Sequence, residues 1–125
     1  MIIEFLAVCV AGGIGAALRF IIDGAIRHRT PPSFPYATMI INISGSLVLG
    51  LLAGLVLGQV ASHHWQLIIG TGMMGGYTTF SSYALEIVTL MRDDKLLRAM
   101  AYLLVSNAAG IALCFLGVAL AKRMA

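Results

Sequence analysis

Four stretches of this chain, residues 2–22, 37–58, 66–91 and 99–121, are apolar almost throughout. Each reaches the ~20 residues that an α-helix needs to cross the hydrocarbon core of a bilayer. Charged side chains make up 10% of the 125 residues, against roughly 25% in a soluble domain. The chain therefore reads as an all-α, multi-pass membrane protein. Little sequence lies outside the four segments, so residues 1–125 form a single transmembrane domain. The first segment has no basic stretch before it and no small-residue cleavage site after it, and is expected to be a retained helix.

The third segment is not uniform. Gly75-Gly76-Tyr77-Thr78-Thr79-Phe80-Ser81-Ser82-Tyr83 is polar and glycine-rich, and predicts a helix broken in mid-membrane. Lipid offers no hydrogen bonds to an unwound backbone, so such a break must be buried in protein or line a polar cavity. Unwinding leaves bare carbonyls on the first half-helix and bare N–H groups on the second. Carbonyls suit a hard cation and a half-helix N-terminus suits an anion. Thr78 and Thr79 are candidate caps for the second half. The competing reading is a glycine kink that serves packing alone.

The other segments carry close-packing signals. Gly12, Gly13, Gly15, Ala16 and Ala17 form a small-residue patch in the first helix. In the second, Asn42, Ser46, Gly50, Gly54 and Gly58 recur every four residues. The fourth presents Tyr102, Ser106 and Gly110 at the same spacing, with Asn107 alongside. The loop after the first helix contains Pro31, Pro32 and Pro35. Four helices with short loops put both termini on one side. Arg27, Arg29, Arg92, Lys95 and Arg98 lie in the two loops opposite, and only Lys122 and Arg123 lie on the terminal side. By the positive-inside rule this favours termini outside.

A formal charge of +3 is spread over helix flanks, with no cluster dense enough for nucleic acid. No nucleophile–base pair, metal-ligand spacing or phosphate-binding loop is present, so no catalytic residue is assigned. Cys9 and Cys114 read as small packing residues. His63 and His64 read as loop residues beside Trp65, an interfacial anchor.

What remains is a set of hydrogen-bond donors and ring edges. Phe80 and Tyr83, three apart, share a helix face, and an aromatic ring is positive at its edge. Asn42 is either a polar contact for a permeant species or an interhelical hydrogen bond. Tyr102 and Ser106 either form a ladder of hydroxyls or pack at an interface. Arg19 either draws anions into a vestibule or snorkels to the membrane surface. Glu86 is an ionisable group inside a membrane segment, with Arg19 or a loop arginine as its expected partner. Donors without nearby carboxylates point to an anion path. A four-helix bundle is also too thin to enclose a pore and cover its own broken helix, which predicts a partner.

Three motifs carry a resemblance: Gly12-Gly13-Ile14-Gly15-Ala16-Ala17-Leu18-Arg19, Asn42-Ile43-Ser44-Gly45-Ser46, and Gly75-Gly76-Tyr77-Thr78-Thr79-Phe80-Ser81. In this order, in a chain of this length, they resemble the CrcB/Fluc family of small bacterial fluoride channels. The resemblance implies an antiparallel, dual-topology homodimer in the bacterial inner membrane, with fluoride leaving the cytoplasm passively along the subunit interface. It implies a structural Na⁺ held by backbone carbonyls, here Gly75 and Thr78, and a fluoride pathway of Asn42, Phe80, Tyr83, Tyr102 and Ser106. Tyr83 departs from the phenylalanine usual there, and Gly110 from a hydroxyl residue. The uneven Lys/Arg distribution leaves room for an oppositely oriented paralogue as partner. The rival is a small multidrug-resistance-type proton-coupled exporter, which needs a carboxylate deep in the first helix, where Glu4 lies too near the end.

Overall fold

The computed structural model describes residues 1–124, and among these the chain is helical with no strand. Helix α1 spans Ile2–Arg27 and α2 spans Tyr36–Leu57. A third helical run, α3, covers residues 63–77, and α4 spans Phe80–Arg92. Helix α5, Leu96–Met124, is the longest at 29 residues. Three of these, α1, α2 and α5, are long and apolar enough to cross a membrane individually. The third apolar segment of the sequence is divided between α3 and α4. Helix α1 runs five residues past the expected end and so carries Arg27, a residue expected in the following loop.

The bundle is held together by small residues. A Cβ at Gly15 would overlap the Met73 carbonyl, and one at Gly76 would overlap the Gly12 carbonyl. Helix α1 therefore lies directly against the backbone of α3. A Cβ at Gly50 would likewise overlap the Cys114 carbonyl, and one at Gly54 would meet Ala121 at 2.5 Å. The every-fourth-residue seam of α2 is thus the face that packs on α5. Without water to expel between helices, close packing and interhelical hydrogen bonds hold such bundles together.

Large apolar side chains point outward: Ile3, Phe20, Leu97 and Phe115 are all exposed. The buried residues form two small clusters that mix large apolar side chains with tyrosines. One is Ile41, Met74 and Tyr77, and the other Leu90, Ala99 and Tyr102. Large apolar side chains facing outward suit a lipid solvent.

Within α3, residues Gln66–Met74 form a π-helix, with hydrogen bonds to the fifth residue on. Sequence reasoning did not anticipate it. The π-helical register falls where Gly72 packs on Val8 of α1, a Cβ there standing 2.8 Å from the Val8 carbonyl.

Candidate functional site

The helical path stops at two residues. Thr78 (φ −78°, ψ 161°) and Thr79 (φ −147°, ψ 121°) are extended, between the last turn of α3 and the first of α4. The expected break at 75–79 is real but shorter, because Gly75–Tyr77 keep helical backbone. Gly76 is pressed on α1 and Tyr77 is buried, with its hydroxyl 3.0 Å from Ser44 Oγ.

Each side of the break is repaired differently. The Thr78 hydroxyl and N–H both donate to the Met74 carbonyl, at 2.9 and 2.8 Å. Thr79 is the N-cap of α4, its hydroxyl accepting from the Ser82 N–H at 3.3 Å. The threonines thus have separate tasks, one closing α3 and the other opening α4. The Thr79 N–H, which in a continuous helix would bond the Gly75 carbonyl, donates instead to Asn42 Oδ1 at 2.8 Å. Asn42 Nδ2 donates to the Thr79 carbonyl at 2.9 Å. Asn42 is therefore the interhelical hydrogen bond of the two readings above, and its second Nδ2 hydrogen remains for another acceptor.

Beside the break runs a groove of about 410 Å³. Asn42, Phe80, Tyr83 and Ser106 line it, with Thr78, Thr79, Asn107 and Gly110, and no carboxylate or cationic side chain does. Ser106 Oγ is buried without a hydrogen-bond partner, an unusual and costly state for a hydroxyl. Gly110 lies opposite Ser46, where a Cβ would stand 3.4 Å from Ser46 Oγ, an ordinary contact. Phe80 is 80% exposed, its ring projecting off the chain. Its centroid lies 6.2 Å from that of Tyr83.

Tyr102 is displaced from this set. It is fully buried and donates to Glu86 Oε2 at 2.8 Å. Its ring meets Tyr83 edge-on, with centroids 5.1 Å apart. Glu86 Oε1 accepts from Thr38 Oγ1 and from Arg27 Nη2, both at 2.9 Å. Arg27 also donates to Asp23 at 2.7 Å. The loop-arginine alternative for Glu86 is thus met by Arg27, now in the last turn of α1, and not by Arg19. Thr38 is not marked by any sequence signal, and its burial emerges only in the fold. Arg19 lines a second cavity of about 370 Å³ with Asp23, Arg27, Thr38, Thr79 and Ser82. Thr79 lines both cavities, so the break sits between the cavity lined by Arg19 and the groove.

The remaining carboxylate of the N-terminal half, Glu4, lies in the first turn of α1 against His64 and the N-terminus. Gly75 is exposed, and a Cβ there would meet nothing within 4 Å.

Fold and site together define a small multi-pass membrane protein built around an interrupted helix and a donor-lined groove. The chain belongs to the CrcB family: the family model described as "CrcB-like protein, Camphor Resistance (CrcB)" matches residues 6–118. Among curated relatives, the fluoride-specific ion channel FluC 1 of Leifsonia xyli is 44% identical, over 93% of this chain and 88% of its own length. The fluoride-specific ion channel FluC 2 of Mycobacterium tuberculosis is 42% identical, over 90% and 86%. The fluoride-specific ion channel FluC of Hyphomonas neptunium is 41% identical, over 96% of both chains.

Proposed function

We propose that this protein is a fluoride-selective channel of the bacterial plasma membrane, allowing passive exit of fluoride, with no enzymatic step. The observation that carries the reading is the groove at Thr78–Thr79, which offers hydroxyls, an amide N–H and ring edges but no carboxylate. A fluoride ion stripped of water needs donors to replace its shell, and fixed positive charge would hold it too tightly to conduct. Asn42, Phe80, Tyr83 and Ser106 supply those donors and edges. Tyr102 acts from behind Tyr83, and Arg19 concentrates anions in the vestibule. The names of the relatives, all fluoride-specific ion channels, support the same substrate.

The break lies mid-membrane and is covered by a second copy in antiparallel orientation. Three features support a partner: the exposed Phe80 ring, the open side of Gly75, and carbonyls deprived of helical donors. Lipid would tolerate none of those carbonyls bare. A structural Na⁺ fits the same place. Diverting the Thr79 N–H to Asn42 leaves the Gly75 carbonyl without its usual donor, and Thr78 is extended. Gly75 and Thr78 of both copies would hold the ion through neutral hard oxygens, and its charge would tie the two breaks together.

The exporter alternative needs a carboxylate deep in α1. The acidic residues of α1 are Glu4 in its first turn and Asp23 bonded to Arg27 in its last, so that reading is not favoured. Fluoride efflux from loaded liposomes, followed with a fluoride electrode, tests the channel function. Release on addition of protein supports it, and retention removes it.

A further inference from the structure

We propose that Asn107 is a positioning residue that occupies the hydroxyl of Tyr83 and so presents only the tyrosine's ring edge to the groove. The inference rests on the channel reading above and goes beyond it, to a residue that would act through another.

Tyr83 and Asn107 both line the groove, from α4 and α5 respectively. A phenol in a path for a desolvated anion is a hazard. Its O–H is a strong donor, and one extra donor deepens the local well when conduction needs the ion to leave as readily as it enters. Here the hydroxyl is taken up. Asn107 Nδ2 donates to Tyr83 Oη at 2.8 Å, and Tyr83 Oη donates in turn to the Leu103 carbonyl at 3.4 Å. Asn107 Nδ2 also donates to the Leu103 carbonyl, at 2.7 Å. That second bond fixes the amide on its own helix, one turn after Leu103, with its nitrogen toward the phenol. The ring is held from two further sides, edge-on by Tyr102 and obliquely by Phe80. With its oxygen bonded to α5, Tyr83 offers the groove the positive rim of the ring.

If the amide is removed, the phenol keeps only the long contact to Leu103 and is free to turn its O–H into the groove. The test is fluoride efflux from liposomes over a range of fluoride concentrations, at equal amounts of monodisperse protein. Four proteins are compared: wild type, Asn107→Ala, Tyr83→Phe, and the double variant. Asn107→Ala should lower maximal flux by about threefold or more, the scale of one interhelical hydrogen bond, and lower the half-saturating fluoride concentration with it. In the Tyr83→Phe background, whatever its own rate, adding Asn107→Ala should change neither quantity. Asn107→Ser, a smaller perturbation, should repeat the pattern if the alanine variant does not fold. Equal losses in both backgrounds, or no loss in either, overturn the proposal while leaving the channel reading standing. A wild-type protein that releases no fluoride overturns both.

Discussion

Asn42 of α2 and Thr79, at the break between α3 and α4, are joined by a reciprocal pair of hydrogen bonds, 2.8 Å from the Thr79 N–H and 2.9 Å to its carbonyl. One side chain thus replaces the partner that the Thr79 N–H loses by leaving the helix, and adds a second donor to a carbonyl that, as the N-cap of α4, already accepts the first bond of that helix. Asn42→Ala should strand the Thr79 N–H. The expected cost is about 1–3 kcal/mol, the usual penalty for an unsatisfied buried polar group. It should appear as a lower unfolding temperature in detergent, together with lost fluoride flux. An unchanged melting profile would mean that Asn42 does not support the break.

Ser106 makes the opposite case. Its buried hydroxyl has no partner to lose, so Ser106→Ala should leave stability unchanged or raise it slightly. Flux should nevertheless fall, because Ser106 lines the groove. Equal flux in wild type and variant would take Ser106 out of the path.

Adjacent glycines should fail in different ways. Gly76→Ala places a methyl group on the Gly12 carbonyl, where neither backbone can yield, and should abolish folded protein. Gly75→Ala meets nothing within 4 Å in its own chain. It should fold, and should impair assembly of two copies, read by size-exclusion chromatography and crosslinking. A fully dimeric Gly75→Ala protein would argue against a partner at that face.

Arg27 and Glu86 are bonded at 2.9 Å, with the Arg27 side chain 53% exposed and Glu86 19%. Solvent screening on the arginine side limits the pair to about 1 kcal/mol. Arg27→Gln should cost about that much, and less in a Glu86→Gln background, measured as a double-mutant cycle of unfolding temperatures. Strict additivity would show that the bond carries no coupling.

Apolar length made the helical segments legible in the sequence, and the run of glycine and threonine marked the break in the third. Its limits were not legible, because Gly75–Tyr77 remain helical through contacts with α1 that residue type does not reveal. The π-helical register of Gln66–Met74 is hidden for the same reason. Spacing alone placed Tyr102 and Ser106 on one face, and they are one turn apart. Tyr102 is nonetheless drawn to Glu86, a partner 16 residues away. The Asn107–Tyr83 bond was equally out of reach, since it depends on how α4 lies on α5. Small-residue seams predicted close packing well, as at Gly50 and Gly54, because packing without side chains leaves few alternatives.

Electrical recording from the purified protein in a planar bilayer, with fluoride and then chloride as the only permeant anion, addresses the central claim most directly. A current carried by fluoride that disappears in chloride, and that shrinks in Phe80→Ile without loss of assembled protein, is the predicted result. No fluoride current from correctly assembled protein would contradict the account.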